Sequence, residues 1–479
     1  MARSLRLDTA LYGAATLVDR LIGFILLPVL TRAVSPTDFG LWTQTAVAAG
    51  VLVPVVLFGL PTAIVNFYSG DGVDRRRALA RLAVVPLALL ALAAGVLWPA
   101  APAVSGAVYG DAAHAAMVPM MLGLLCADAA SEFALAGLRC AGRIGTIAGA
   151  MIVRSVLRYA AVLWLVHDAA PMADWFGDYV RVQASLAAAL VAATALLLPR
   201  PGATATAGGP PLRTVLAFSA PLVALALFTS ASAFVDRFVL VHLLGLDAVA
   251  VYSASMSLAS IPSAFYTVLG YTLFPTLARC WQDGRRDAVA PLLGRSVEVF
   301  LALCLPVAAL IGAAGTGLLP LLSTADYRPP AAVFGLLGVS VCAFGVYQIV
   351  LYALLLDGRS REVLGLTLGA AVVNLGLNLM LAPPLGLAGA AAAVALSNTL
   401  LAAWAARRVR RVVDWRFDTA RAVSIAARAA VAAAPLALLN ALAPLTAGRA
   451  LAGAAAGLAL YAVLEGTRRN SSLRALLRR

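Results

Sequence analysis

The sequence predicts an all-α polytopic membrane protein. Three observations carry that reading: the composition, the length of the apolar runs and the placement of the arginines. Hydrophobic residues make up 62% of the 479 positions, and the mean hydropathy is +0.93. Charged residues reach 12%, about half the ~25% of an ordinary soluble domain. A soluble fold cannot bury that much apolar surface. A bilayer can, because a helix of ~20 apolar residues crosses its hydrocarbon core. The runs are long and continuous, which excludes the alternating ~10-residue strands of a membrane barrel.

About fourteen spans follow, at 10–33, 41–67, 79–104, 112–138, 145–167, 176–198, 215–243, 248–278, 290–320, 330–356, 363–382, 386–406, 422–443 and 447–464. The first begins near Ala10 and runs to about Ala33, too long for the apolar core of a cleavable signal. Prolines 28, 54, 86, 221, 262 and 306 fall within spans, where they allow kinks.

The formal charge is +14, and every one of the 36 basic residues is arginine. These arginines alternate between loops. Arg3 and Arg6, Arg75–Arg77 and Arg81, Arg139 and Arg143, and Arg200 and Arg213 lie in one set of loops or at its helix ends. The same set continues with Arg279, Arg285, Arg286, Arg295, Arg359 and Arg361, the run from Arg407 to Arg421, and the tail from Arg468 to Arg479. Together it holds 27 of the 36. The intervening loops carry Arg32, Arg328 and Arg449, with Arg181 at a helix edge. The positive-inside rule assigns the rich set, and with it both termini, to the cytoplasm. The alternation also supports the span count, since losing one helix would invert every later loop. Basic residues confined to such loops point to topology and not to nucleic acid.

Two halves emerge. The stretch from Pro199 to Pro211 is rich in Pro, Gly and Thr and reads as a linker. With a shift of 210, Arg3 falls on Arg213, Phe39-Gly-Leu-Trp42 on Val249-Ala-Val-Tyr252, and Arg75-Arg76 on Arg285-Arg286. With a shift of 216, Gly142-Arg143 falls on Gly358-Arg359. The expected organisation is a six-helix bundle over 1–200, a linker over 201–212, a second six-helix bundle over 213–410, and a helix pair with a basic tail over 411–479. An even helix number makes the repeats parallel, related by an axis along the membrane normal, and such matched bundles suit alternating access.

An ionisable group at mid-bilayer costs ~2.5–3.5 kcal/mol on insertion scales and so needs a partner or a wet cavity. Four helices carry such groups: Asp19-Arg20, Asp128 with Glu132, Arg154 with Arg158, and Asp236-Arg237. In an antiparallel pair of helices, residues at equal depth have numbers of constant sum. Asp128 then meets Arg158 and Glu132 meets Arg154, each set one turn apart on one helix face. Two readings stand side by side: a clamp that holds the helices together, or a cavity lining that exchanges partners with substrate. Neighbours on a helix point ~100° apart, so Asp19-Arg20 and Asp236-Arg237 cannot each satisfy themselves. Arg20 and Arg237 are candidates for gripping phosphate oxygens, which the planar guanidinium fork matches. Asn66, Asn374, Asn378 and Asn398 interrupt apolar stretches and serve as interhelical glue or as sugar-hydroxyl ligands.

Other chemistry is absent from the pattern. Cys126, Cys140, Cys280, Cys304 and Cys342 form no CxxC and read as packing residues. His114, His167 and His242 carry no ligand spacing, so no metal is expected. No GxxxxGK[ST] loop occurs, and no nucleophile with a nearby base is legible. No cofactor and no enzymatic activity are expected.

Several segments resemble a known family. Leu26 to Trp42 (LLPVLTRAVSPTDFGLW) and Phe58 to Gly72 (FGLPTAIVNFYSGDG) resemble the first-helix region of polysaccharide-biosynthesis flippases. Asp236 to Ala259 (DRFVLVHLLGLDAVAVYSASMSLA) resembles their seventh-helix segment. These flippases share the multidrug/oligosaccharidyl-lipid/polysaccharide (MOP) exporter superfamily with the multidrug and toxin extrusion transporters and the lipid II flippases. The resemblance implies two six-helix bundles with alternating access, and an oligosaccharide on a polyprenyl diphosphate as cargo. That cargo would cross a bacterial plasma membrane outward. The resemblance also implies a cationic cavity for the diphosphate, with Arg20 as the best-matched residue and Arg154, Arg158 and Arg237 as candidates by position. The last helix pair would offer a groove to the lipid tail. Implied partners are membrane lipids and a downstream polysaccharide polymerase, with the transporter itself a monomer. The alternatives are a cation-coupled multidrug exporter, a lipid II flippase, and a membrane glycosyltransferase or polymerase. The exporter typically has twelve helices, and the polymerase would carry a large outer loop that this sequence lacks.

Overall fold

A computed structural model of the chain describes Gly13, Ala15, Val18 and residues 22–69, 74–166, 172–198, 210–442 and 445–466. These residues form helices and the turns between them, and among them there is no strand. In chain order the helices are α1 (Ile22–Ala33), α2 (Pro36–Leu57), α3 (Leu60–Tyr68), α4 (Arg75–Leu97), α5 (Ala101–Tyr109), α6 (Met117–Cys140), α7 (Ile144–Val166) and α8 (Met172–Leu197). Then follow α9 (Leu212–Ala259), α10 (Ser263–Gln282), α11 (Val289–Leu322), α12 (Ala331–Leu356), α13 (Ser360–Val409), α14 (Thr419–Leu442) and α15 (Ala447–Gly466).

Eleven helices among the described residues are long and apolar enough to cross a membrane, and shorter apolar helices stand at Ile22–Ala33 and Leu212–Ala224. α13 counts once among the eleven although it contains two legs. About fourteen crossings result, in agreement with the sequence.

The two longest helices each turn at a glycine. Gly245 in α9 has φ 82° and ψ −178°, and Gly386 in α13 has φ 57° and ψ −132°. Positive φ brings a Cβ against the following carbonyl, so glycine adopts it without that penalty. The legs of α9 and α13 correspond to the seventh and eighth and to the eleventh and twelfth expected spans.

Three expected spans are broken instead of continuous. The 41–67 span splits into α2 and α3 where Phe58 (φ 48°) and Gly59 (φ 66°) turn left-handed. The 79–104 span splits into α4 and α5, and the 248–278 span breaks between α9 and α10. Proline marks each restart: Pro61 and Pro102 sit in the first turns of α3 and α5, and Pro262 caps α10. A first-turn proline loses no hydrogen bond, because its missing N–H has no intrahelical partner anyway. Hydropathy sees only apolar sequence and is blind to such turns.

The chain forms two compact units, Met1–Val249 and Ala250–Arg479. In the first, α6 is the central helix. It packs against α8, α2, α3, α4 and α7. Leu60, Ile64, Tyr68, Leu82 and Ala136 are its neighbours or members in a fully buried core. Trp42 of α2 stacks on Trp175 (5.3 Å between centroids) and lies 4.5 Å from Tyr179, both of α8. α4 turns Val84, Leu87, Leu92 and Val96 outward, as a lipid-facing helix does.

In the second unit, α11 packs against α10, α12, α14 and α15, and α12 lies along α13. Helices already in lipid gain nothing from hiding apolar area, so close packing and polar contacts must hold them. Both are present. Gly345 of α12 lies so close to the Phe300 ring of α11 that a Cβ would overlap it. Asn398 donates to Ser340 at 2.8 Å, and the Tyr347 and Thr367 hydroxyls bond at 3.1 Å. The Cys304 and Cys342 sulfurs meet at 3.3 Å as free thiols.

The last helix pair is tied on by polar groups that the sequence reading did not single out. Asn440 of α14 donates to Thr316 Oγ1 (2.9 Å) and to the Ala313 carbonyl (3.1 Å) of α11. Arg421 pairs with Glu298, again between α14 and α11. Arg428 of α14 pairs with Glu465 of α15 at 2.9 Å, with the glutamate side chain almost fully buried. Removing one partner of a buried pair leaves an uncompensated charge, which costs about 3–5 kcal/mol. Glu465→Ala is therefore expected to lower the melting temperature of the purified protein sharply. The double replacement Arg428→Leu with Glu465→Leu should recover most of the loss. Equal melting of the single variant and the parent would show that the pair carries no stability.

Candidate substrate pathway

The residues singled out from the sequence fall into distinct places. Asp19 and Arg20 lie outside the described residues. Asp236 is buried and Arg237 half-buried on the first leg of α9, two turns and more before Gly245. Asn66 is exposed on α3. Asn374 and Asn378 are buried within the second unit, where Asn378 donates to the Asn374 side-chain oxygen at 2.6 Å and to its carbonyl at 3.1 Å. The two asparagines are thus linked one turn apart along one helix face.

The charged pairs on α6 and α7 are arranged differently from the equal-depth expectation. Glu132 pairs with Arg139, two turns further along its own helix, at 3.6 Å, where Arg154 had been expected. Arg158 donates through Nε to the Tyr179 hydroxyl of α8 at 2.6 Å. Gln183 donates to the same oxygen at 2.7 Å, and the Asp128 charge acts on it as well. Equal depth puts two residues at one height in the membrane but leaves the rotation of each helix open. α8 supplies a competing acceptor that no arithmetic between α6 and α7 could include. Tyr179 itself is held in the aromatic cluster with Trp42, Trp175 and Phe176.

α9 meets α2 and the ends of α3 and α5 along its length. Just past Gly245, Thr37 donates to Asp247 at 2.6 Å. Gly40 is pressed against the Leu246 carbonyl, and Gly110 sits where a Cβ would stand 3.1 Å from the Val241 oxygen. A side chain at Gly40 would force the helices apart. Toward the arginine-rich end, a Cβ on Gly59 would stand 2.8 Å from the Ser219 carbonyl, and the Phe67 and Phe218 rings meet edge to face at 5.2 Å. Arg81 closes that end by donating to the Pro210 carbonyl at 2.8 Å. Thr37 and Asp247 are 210 residues apart, the same shift that aligns the two halves.

The arginines read as topological markers also bind backbone. Arg75 donates to the Tyr68 and Ser69 carbonyls, both at 3.1 Å, and Arg76 to those of Leu196 (3.2 Å) and Leu198 (2.8 Å). They satisfy the terminal carbonyls of α3 and α8, which have no partner within their own helices. The same guanidinium row leaves this face cationic.

Comparison with known proteins places this geometry. The family model described as polysaccharide biosynthesis protein matches residues 5–281, and the model described as lipid II flippase MurJ matches residues 188–448. Each covers more than half of the chain. No curated protein matches. Among solved structures, a lipid II flippase MurJ in an inward closed conformation superposes with a TM-score of 0.74 at 12% identity, covering 98% of this chain and 100% of that one. An inward-facing multidrug resistance MATE family transporter of the MOP superfamily gives 0.56 at 16% identity, over 82% and 98% of the two chains. A MOP superfamily transporter from Pyrococcus furiosus gives 0.56 at 13% identity, over 85% and 96%. At these identities the structures speak for the fold, while the two family models carry the kinship. The chain belongs to the polysaccharide biosynthesis protein family, within the flippase group of the MOP exporter superfamily.

Proposed function

We propose that this flippase carries an oligosaccharide linked to a polyprenyl diphosphate from the cytoplasmic to the outer leaflet of a bacterial plasma membrane. In this reading both termini and the arginine-rich face are cytoplasmic, and the cargo serves surface polysaccharide synthesis. The observation that carries it is the cationic face around Arg75, Arg76 and Arg81 beside the first leg of α9. A diphosphate meets opposite charge there, whereas a cationic drug meets like charge. The match over residues 5–281 favours a polysaccharide unit as the saccharide. The match over 188–448 favours a second reading, lipid II, with the same diphosphate chemistry and a different sugar.

The pathway runs along α9, between the contacts at its two ends. The six, six and two grouping of helices, with 201–212 as linker, suits alternating access between two bundles. Asp236 and Arg237 sit on the first leg of α9. Arg20 takes the diphosphate, with Arg237 as a further ligand, and Arg154 and Arg158 tune the charge of the first bundle.

Deletion of the gene tests the cargo. Completed saccharide-lipid should accumulate facing the cytoplasm, as read by leaflet-selective labelling. Accumulation of lipid II instead moves the assignment to the second reading, and unaltered intermediates with raised drug sensitivity would sink both. Arg20→Ala should abolish translocation with normal membrane insertion. Wild-type transport in that variant removes Arg20 from the substrate site. Cysteines at Thr37 and Asp247, in a background lacking the native five, should lock the transporter when oxidised and release it on reduction. Undiminished transport in the cross-linked protein would rule out opening at this end.

A further inference from the structure

α13 brings its first and last turns to the same end of the second unit. Arg408 stands 3.7 Å from Glu362, and the Trp404 ring lies against Gly369. Between these turns is a cavity of ≈ 590 Å³. One wall is Trp404, Arg407, Arg408 and Arg411, and the other is Glu362, Gly365 and Leu366. Trp404, Arg407 and Arg408 have i, i+3 and i+4 spacing and share one helix face, and Arg411 follows in the turn just past the helix end. Three guanidinium groups therefore converge on a space that holds one carboxylate. That carboxylate is already engaged, since Arg359 donates to Glu362 at 2.9 Å and to Asp357 at 2.5 Å. The two carboxylates push the Arg359 guanidinium further above its ordinary value. Among the described residues, no carboxylate lies within 4 Å of Arg407 or Arg411.

Cations in a last helical turn also complement the helix dipole. That accounts for Arg407 and Arg408, which lie inside α13, but not for Arg411 beyond its end. It also leaves the concave wall with Trp404 unexplained. Tryptophan is enriched where a membrane meets water, with its ring at headgroup level. One and two turns into the apolar part of the helix, Leu400 and Leu396 continue the same face, 40% and 48% exposed. The face thus reads from cationic through aromatic to aliphatic along one line.

We propose that this cavity binds the phosphate diester headgroup of an anionic phospholipid, with an acyl chain lying along Leu400 and Leu396. Arg407 and Arg411 grip the phosphate oxygens, and the guanidinium fork suits that geometry. A soluble phosphate would use the arginines and leave the aliphatic line without purpose. The proposal rests on the chain spanning a membrane and not on the identity of the cargo, so a failed transport assay leaves it standing.

The full chain, purified in detergent and equilibrated with phosphatidylglycerol or phosphatidylcholine, is examined by native mass spectrometry. The parent should retain phosphatidylglycerol and not phosphatidylcholine. R407Q/R411Q should reduce the retained phosphatidylglycerol about tenfold, the loss of two charge-assisted contacts. R410Q/R416Q removes the same charge from arginines outside the cavity and should retain it. Circular dichroism melting shows that each variant is folded, and R407K/R411K, which keeps the charge without the fork, serves as a second variant and should bind more weakly than the parent. Equal loss in both glutamine variants would reduce the effect to general charge and overturn the proposal. So would undiminished retention in R407Q/R411Q, or displacement of the lipid by millimolar inorganic phosphate, which would make the ligand a soluble phosphate.

Discussion

In a hydrocarbon layer, no water is at hand for a backbone N–H or carbonyl, and each must find its partner within the protein. Much of this structure answers to that constraint. Among the described residues the apolar runs are helical apart from short turns, and at several helix ends other groups supply the missing bonds. Arg75 and Arg76 reach back over the ends of α3 and α8 and take their carbonyls. Arg81 does the same for Pro210, where α9 begins. The charges that orient the protein are thus also the caps that finish its helices. A lysine could supply the charge but not a planar fork reaching two carbonyls at once.

The same constraint limits what side chains do between helices. Polar groups find one another at short range: Asn398 with Ser340, and Asn440 with Thr316. Where helices carry no such groups they approach through glycine, as at Gly345 against Phe300. The end helices α14 and α15 use charge for the purpose, with Arg421 on Glu298 and Arg428 on Glu465. Such contacts are directional, so they hold the last pair in one register.

A transporter also needs contacts that form and break. α9 meets α2 and the start of α3 at small residues and at one hydrogen bond, from Thr37 to Asp247 just past Gly245. Glycine at position 40 keeps the two backbones close enough for that contact. The cationic faces at Arg75–Arg81 and at Arg407–Arg411 lie in different units.

By itself the sequence determined the helical class and about fourteen crossings, because both depend on residue type against a solvent that changes along one direction. It also supplied the identities of the intramembrane charges. It did not determine their partners. Glu132 bonds Arg139 and Arg158 bonds Tyr179, since equal depth says nothing of how each helix is rotated or what a third helix brings. It passed over Arg428 and Glu465, which lie near the ends of apolar runs and look like loop charges until α14 and α15 close on each other. The breaks at Phe58, Trp98 and Ser260 were hidden for a related reason: a turn in apolar sequence stays apolar, and only packing shows that the helix axis has moved. Composition reads position along the membrane normal, and the tertiary structure decides position around it.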